Sequence, residues 1–460
     1  MTKYELDFEA IEKFALDKKG KYRNERRDIT YLLPLPTREP ERAKFERGFW
    51  SITAGITRLI FKKDIIPQSN EETFEALLQS GKFDSDATMK LFKYYLQEQS
   101  NDVQRHQVSQ LFQIENIPLS ESKAEQKGEI DYIKFLFDTL IYGSSNELTS
   151  YFKNENELDL LNNIIISLNQ ELVSSKEYTP IYPNLFKEIK NQFLEDLKHL
   201  SKNSVFMLEN INILLVHYLF ILMSQTVLQT KKLTDFNENK LVPLFFIMNW
   251  ENGASWRNNY KEGFKLLREQ VNDFYSHEHA LNIIGKTTFT TERNLYYHNI
   301  HQKLQQAGPE AERQYIESVY KWLNEVFTEK TGIAVEHYDE TKQLNDAFSD
   351  LVKAVSANLG NELKSRYPKA FEAVILKFYR KHGGSLGTLL SLSQEQLILL
   401  VAVSIKDERI ELNLLWKEFE KRGIWMDYQT KEEVIKTLDK LNYLEKKSDS
   451  GDAQYVKSIL

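Results

Sequence analysis

Residues 446–460 read KKSDSGDAQYVKSIL, and no other part of the chain indicates a fold so clearly. Strand-forming residues lie on both sides of Asp449-Ser450-Gly451-Asp452, where Gly451 suits the positive φ of a tight turn. The pattern predicts a β-hairpin directly after a helix. Helix, helix and hairpin is the order of a winged-helix domain, so the sequence favours a binding module here rather than an active site.

The preceding residues supply the remaining elements that such a domain needs. A short strand is predicted at Ile410-Glu411-Leu412. Three helices are predicted around it. The first helix begins at a capping box of Ser393 and Gln396, and the third begins at a capping box of Thr430 and Glu433. The second helix ends at Gly423.

The charges of this module disfavour direct reading of DNA bases. Residues 406–460 contain eleven Lys/Arg and twelve Asp/Glu. Glu432 and Glu433, near the start of the third helix, would repel phosphate, whereas DNA affinity comes largely from neutralising phosphates. A protein-interaction role is therefore favoured, and base readout or weak backbone contact remain the alternatives.

The composition of the whole chain indicates a mainly α protein. Gly (17) and Pro (10) are scarce among 460 residues, and 41% of residues are hydrophobic, so helix formers dominate and a large core is possible. We expect a multi-helix body with a C-terminal winged-helix domain. The expected segments are a basic N-terminal arm and first helix (1–65), a helical body (66–380) and the C-terminal domain (381–460).

Cysteine is absent, and the longest apolar run is short. Without cysteine there are no disulfides, thiolate metal sites or cysteine nucleophiles. The N-terminus lacks the apolar core of a signal peptide. Residues 211–223 are too few for a membrane span, which needs about 20 residues, and predict a buried central helix. We therefore expect a cytoplasmic protein.

Positive charge is concentrated in two places. Residues 18–63 contain thirteen Lys/Arg against five Asp/Glu, and a helix is predicted from Glu41 to Phe61. A second basic helix is predicted over about 361–381, followed by a glycine-rich linker. The first segment is either a solvated surface that packs its aromatics inward or an arm that contacts DNA phosphates or an acidic partner, and the second helix is a further candidate for contact with the DNA backbone. With the hairpin lysines, the DNA-backbone candidates are Arg23, Arg26, Arg27, Arg42, Arg47, Lys377, Arg380, Lys446 and Lys447.

Helical spacing of apolar residues also marks the body. One helix is predicted around residues 158–168, another over 131–142 with Gly143 as its stop, and a third over 316–326 ending near Gly332. Residues 120–128 are predicted to form an exposed loop.

No sequence pattern identifies a catalytic centre, a metal site or a cofactor. Residues 280–288 end in Gly285-Lys286-Thr287, like a phosphate-binding loop, but Ala280 replaces the first glycine. His277-Glu278-His279 lacks the spacing of a helical metal site and is interpreted as a surface cluster. The pair His298 and His301 is too small a signal. Carboxylates are frequent, and their spacing singles out no nuclease site.

Residues 250–263 combine two tryptophans, an arginine and several amides after an apolar run. They form either a loop held by its own side chains or a binding surface, because Trp, Tyr and Arg dominate interface energetics. The candidate partner-binding residues are Trp250, Trp256, Arg257, Tyr260, Trp425 and Tyr455.

Residues 447–456 (KSDSGDAQYV) resemble the C-terminus of the DptG/DndG family, a component of the bacterial DNA phosphorothioation-dependent restriction system. The specific resemblance covers residues 381–460, and the chain length and residues 250–263 are compatible with it. It implies a role in anti-phage defence, in which host DNA carries sulfur in place of a phosphate oxygen and unmodified DNA is attacked.

The resemblance further implies DptF-like and DptH-like partners, which carry the ATPase and helicase-type motifs. It supplies no catalytic motif for this chain, so the expected role is a non-catalytic scaffold or adaptor that meets DNA directly or through those partners. The alternatives are a kleisin-like winged-helix subunit of a condensin-type defence complex and a metal-dependent nuclease with a cryptic carboxylate site.

Overall fold

The structure is a computed structural model. It describes residues 3–17, 20, 22, 32–35, 45, 48–65, 85–88, 90, 114, 117–120, 122–152, 172–174, 177–292, 295–446 and 454–459. The predicted helix around 158–168 and the hairpin turn at 449–452 lie outside these residues. So do Arg23, Arg26, Arg27, Arg42, Arg47 and Lys447.

The first half of the described chain is helical apart from short strands. Its elements are α1 (Phe8–Ala15), α2 (Trp50–Phe61), β1 (Lys63–Ile65), α3 (Lys123–Leu136), α4 (Ser145–Leu148), β2 (Leu172–Ser174), α5 (Lys187–Leu200), α6 (Ser204–Thr230), β3 (Phe245–Met248), α7 (Asn258–Lys261), α8 (Phe264–Val271) and α9 (Phe274–Ile284).

The second half adds a bundle and then mixed structure. Its elements are α10 (Tyr297–Ala307), α11 (Pro309–Lys321), α12 (Thr328–Thr331), α13 (Leu344–Asn358), α14 (Asn361–Phe378), β4 (Arg380–His382), β5 (Thr388–Leu392), α15 (Gln394–Ile405), β6 (Ile410–Glu411), α16 (Leu412–Lys421), β7 (Trp425–Met426), α17 (Tyr428–Lys440), β8 (Leu444–Lys446) and β9 (Gln454–Val456). The protein is mainly α, as the composition predicts.

The long helix α6 is the centre of the core. It contains the apolar run 211–223, and 72% of its most apolar 18-residue window is buried inside the protein. Its apolar residues face neighbours on nearly every side, which is typical of a core helix. The side chain of Gln225 accepts from the amide of Val242 and donates to its carbonyl, at 2.8 and 2.9 Å. The prediction of a buried central helix is confirmed.

A four-stranded sheet in the order β4-β5-β3-β7 joins the body to the C-terminal region. Strands β5, β3 and β7 are parallel, and β4 pairs antiparallel to β5. The carboxyl ends of the three parallel strands therefore meet at one edge. The loop 249–257 follows β3 at that edge, and the N-termini of α15 and α17 follow β5 and β7.

The glycine-rich linker predicted after the basic helix is instead part of this sheet. Helix α14 ends at Phe378, before the glycines, and residues 380–392 form the β4-β5 hairpin. Gly383 and Gly387 lie in its connection, where the amide of Gly383 donates to the carbonyl of Gly387 at 2.7 Å. The predicted boundary at 381 therefore falls inside a hairpin that belongs to the sheet.

Of three further predictions about helices and loops, one is wrong, one is confirmed in part and one is confirmed. The exposed loop over 120–128 is wrong, because α3 begins at Lys123 and Gly128 is buried. The helix predicted from Glu41 to Phe61 is confirmed only over Trp50–Phe61, where α2 lies, because Phe45 and Gly48 have φ values of 53° and 73°. The helix over 316–326 is confirmed and ends at Gly332, which is left-handed.

The C-terminal region contains a second, three-stranded antiparallel sheet in the order β6-β9-β8. Pairing of β8 with β9 confirms that two strands flank the predicted turn. Helix α15 has the expected capping box of Ser393 and Gln396. The predicted cap of the third helix is wrong, because Asp427 caps α17 and its Oδ1 accepts from the amide of Thr430 at 3.0 Å.

Candidate functional site

Arg257 is the hub of a buried polar network beside the loop 249–257. Its guanidinium forms a bidentate ion pair with Asp427, at 2.8 Å from Nε and 2.6 Å from Nη2. Nη2 also donates to Glu251 Oε1 at 2.9 Å and to Thr430 Oγ1 at 2.8 Å. The pairing is strong because both groups are charged and planar.

The same network fixes the loop and the start of α17 together. Glu251 Oε2 accepts from the amide of Met248 at 2.6 Å, and Arg257 Nη1 donates to the carbonyl of Asn252 at 2.9 Å. Burial alone would raise the pKa of Asp427, but its hydrogen bonds and charge contact with Arg257 hold that pKa below its usual value. The carboxylate stays ionised at neutral pH.

Arg257 is consequently not available as a partner anchor, contrary to its place among the candidate residues. It is buried, and its described donor nitrogens already have acceptors within the protein. A guanidinium in this position costs too much to withdraw for a partner. Its role is to hold the loop.

Three large aromatic side chains remain exposed around this network. Trp250 is 41% exposed, Trp256 is 66% exposed and Tyr428 is 75% exposed. Each is next in sequence to a member of the network, since Glu251, Arg257 and Asp427 are their neighbours. We name Trp250, Trp256 and Tyr428 the aromatic triad. The two tryptophans stand out in the sequence, whereas Tyr428 does not, because only the Arg257–Asp427 pair brings it to the loop.

A basic strand borders the loop on its other side. Lys381 Nζ donates to the carbonyl of Asn249, and Gly253 lies so close to the hairpin that a Cβ there would be 2.3 Å from Leu389 Cδ1. Arg380 and His382, on the opposite face of β4 from Lys381, are exposed. Lys377, in the last turn of α14, is also exposed, so two DNA-backbone candidates lie at this edge of the sheet.

The other candidate residues are spread over the C-terminal region. Tyr260 is partly buried with Lys265 over its ring, 5.4 Å from the centroid. Trp425 is partly buried in β7, where it pairs with Phe245. Tyr455 is partly buried in β9, and the Arg409 guanidinium lies 5.1 Å from its ring centroid. Lys446 ends β8.

A second arginine network lies deeper, between the C-terminal region and the body. Arg422, at the end of α16, pairs with Asp196 of α5 at 2.8 Å from Nε and 2.6 Å from Nη2. Tyr218 of α6 donates to Asp196 Oδ2 at 2.6 Å, and Arg422 also donates to Glu418 and to the carbonyl of Val403. His217 Nε2 donates to the carbonyl of Arg422 at 2.9 Å.

The predicted surface cluster at His277-Glu278-His279 is wrong, because all three residues are buried in α9. Glu278 Oε1 accepts from the amides of Leu32 and Leu33, at 2.9 and 3.3 Å. Burial lowers the pKa of His277 to about 3. Glu278 therefore ties Leu32 and Leu33 to α9.

The phosphate-loop-like segment and the pair His298 and His301 are not arranged as a catalytic site in the described residues. Residues 274–284 form α9, and Gly285 ends that helix, whereas a phosphate-binding glycine loop precedes its helix. His298 stacks on Phe236 with centroids 4.4 Å apart. No group of three or more His, Asp or Glu side chains suited to a metal ion occurs in the part of the chain that the structure describes.

Comparison of the chain with known protein families and with curated proteins finds no match to either. The resemblance to the DptG/DndG family therefore stays a prediction.

Proposed function

We propose that this chain is a non-catalytic scaffold or adaptor subunit of a phosphorothioation-dependent DNA restriction complex in the bacterial cytoplasm. Its partners would be DptF-like and DptH-like ATPase and helicase subunits, and it would need no cofactor of its own. The proposal joins the C-terminal resemblance to the geometry of the C-terminal region.

We propose further that residues 393–459 form a winged-helix domain. The order α15, β6, α16, α17, β8, β9 and the strand order β6-β9-β8 support it. In winged helices that read DNA, the N-terminal residues of the third helix enter the major groove. Here that helix is α17.

The observation that carries the proposal is the occupied N-terminus of α17. Asp427 caps the helix and is paired with Arg257 of the body, and Thr430 is completely buried in the same network. Insertion into a DNA groove would have to break this network and leave a buried charge unpaired, which costs several kcal/mol. A rigid docking module fits this geometry better than a base reader.

The outer face of α16 is the proposed docking face for a partner protein. Helix α16 contacts β6 and β9, and its Leu414 is an exposed large apolar side chain. An exposed apolar residue on a rigid element is a suitable anchor for a protein interface.

Co-expression of the full chain with DptF-like and DptH-like subunits tests the proposal. We expect affinity purification of this chain to recover both ATPases, and Leu414→Asp to reduce recovery about ten-fold or more by placing a charge in the interface. Val205→Asp is the matched control, since Val205 is also exposed. A chain that purifies alone as a monomer would refute the adaptor role.

A further inference from the structure

We propose that the aromatic triad and the exposed cations Lys377 and Arg380 form a binding surface for single-stranded nucleic acid, in which bases stack on Trp250, Trp256 and Tyr428 and phosphates contact those two cations. This inference goes beyond the adaptor role and does not depend on it. In the structure, tryptophans that the sequence marks as candidates for binding a protein partner lie near cations that it marks as candidates for contacting the DNA backbone.

The triad has the properties of a stacking platform. Its three rings are among the most exposed large side chains in the described parts of the chain, and exposed apolar side chains that are grouped rather than scattered mark contact sites. Every nucleic-acid base has a π-face, so stacking on aromatic side chains needs no particular sequence. Unpaired bases can reach such rings, whereas bases inside a duplex cannot.

The local charge complements a phosphate backbone. Residues 249–261 and 376–387 contain five Lys/Arg and one acidic residue, although the whole chain has a net charge of −7. That one acidic residue, Glu251, is buried and paired with Arg257. Asp427, beside Tyr428, is paired with the same guanidinium. The two carboxylates adjacent in sequence to triad members are thus both paired with Arg257, and the exposed charges of β4 are positive.

The Arg257 network also keeps the surface in shape. Trp250, Trp256 and Tyr428 come from two segments distant in sequence, and the Arg257–Asp427 pair ties those segments together. Preorganised aromatic side chains lose less entropy on binding. Cations on an exposed edge strand can alternatively serve to prevent strand pairing between molecules, but that role would require no exposed tryptophans beside them.

Fluorescence anisotropy with a labelled oligothymidylate across a salt series tests the inference on the full chain. We expect binding at low salt, with tighter binding to the single strand than to a duplex of equal length. Trp256→Ala and Trp250→Ala should each weaken binding on the order of ten-fold, given the value of one stacked base. Lys377→Gln combined with Arg380→Gln should reduce the salt slope by about 0.7 per lost phosphate contact.

Matched controls separate this surface from general effects. Tyr142→Ala removes another exposed aromatic ring, and Lys198→Gln removes another exposed cation on α5; both should leave affinity unchanged. Circular dichroism should show that Trp256→Ala folds normally.

Three results would overturn the inference: no binding of the oligonucleotide at low salt, equal affinity for the duplex, or equal losses in the triad and control variants. Loss of a protein partner with unchanged oligonucleotide affinity would assign the surface to protein instead.

Discussion

Arg257 and Arg422 use the same chemistry to join the body to the C-terminal region, but in different surroundings. Arg257 belongs to the body and reaches Asp427, whereas Arg422 belongs to the C-terminal region and reaches Asp196 in the body. The Arg422 and Asp196 side chains are both 0% exposed. The Arg257 side chain is 3% exposed and that of Asp427 is 14% exposed, and their sequence neighbours Trp256 and Tyr428 are exposed.

The two networks differ in what they stabilise. Arg422 is surrounded by helices α5, α6, α15 and α16, so its network can serve only to fix their packing. Arg257 lies under a loop with exposed tryptophans, so its network additionally shapes a surface. A deeply buried charge depends more on its partner than a charge near water, because the interior screens less. The following predictions test this contrast.

The largest effect is expected from Arg422→Met. The substitution leaves Asp196 buried without its cation, and removal of one partner of a buried pair costs about 3–5 kcal/mol. Urea unfolding followed by circular dichroism would measure the lost free energy of unfolding. Lys421→Met, at the exposed neighbouring position, is the control and should change stability by less than about 0.5 kcal/mol. Equal stability of both variants would show that the ion pair does not join the two regions.

Arg257→Met should cost less, about 2–3 kcal/mol, because Asp427 can be partly hydrated when it loses its partner. The same variant should weaken oligonucleotide binding by disordering the triad. The variant Asp427→Asn removes the negative charge that pairs with Arg257 but keeps the N-cap of α17, since asparagine caps helices as well as aspartate does. A cost for Arg257→Met as large as that for Arg422→Met would erase the contrast between the two networks.

Acid should weaken the Arg422 network before the Arg257 network. Burial lowers the pKa of His217 to about 3, so the unfolded chain, with an ordinary pKa near 6.5, binds a proton more readily. The free energy of unfolding is therefore highest above about pH 6.5 and falls as the pH drops towards 3, by about 2 kcal/mol for this residue at pH 5. His217→Gln should reduce that slope in urea unfolding at pH 7.5 and 5. A His217 pKa near 6.5 by NMR would contradict it.

The smallest expected effect is a difference in stability between alanine variants of two glycines. Gly423 follows Arg422, has φ +76°, and would place a Cβ 2.5 Å from Ile221 Cδ1. Gly384 has φ +59° and no atom within 4 Å of its Cβ position. Both alanine variants carry the left-handed strain, but Gly423→Ala also overpacks α6 and should cost about 1 kcal/mol more. Thermal unfolding would measure the difference, and equal costs would mean that Ile221 can move away.

Several elements could be predicted because their signals are local. The apolar residues of α6, the capping box at Ser393 and the strands on both sides of the last turn depend on residues close in sequence. The cap of α17 was misplaced by three residues, because Thr430 and Asp427 are both good capping residues. Only the pairing of Asp427 with Arg257 shows which of them caps the helix.

The candidate surface could be predicted only in pieces. The tryptophans and the basic residues were visible in the sequence, but it offered no signal that residues 249–257 lie between the β4-β5 hairpin and the start of α17. Tyr428 looked like an ordinary helix residue. Buried histidines 277 and 279 looked exposed because the partners of their helix come from distant segments.

The helical class of the protein, the central apolar helix and the order of elements near the C-terminus follow from local sequence, since propensity, periodicity and capping act over a few residues. The tertiary structure alone decided which arginines are buried, which carboxylates they neutralise and which aromatic rings remain in water. Those properties depend on contacts between residues up to 226 positions apart, and no local pattern encodes the distance between two side chains that the fold brings together.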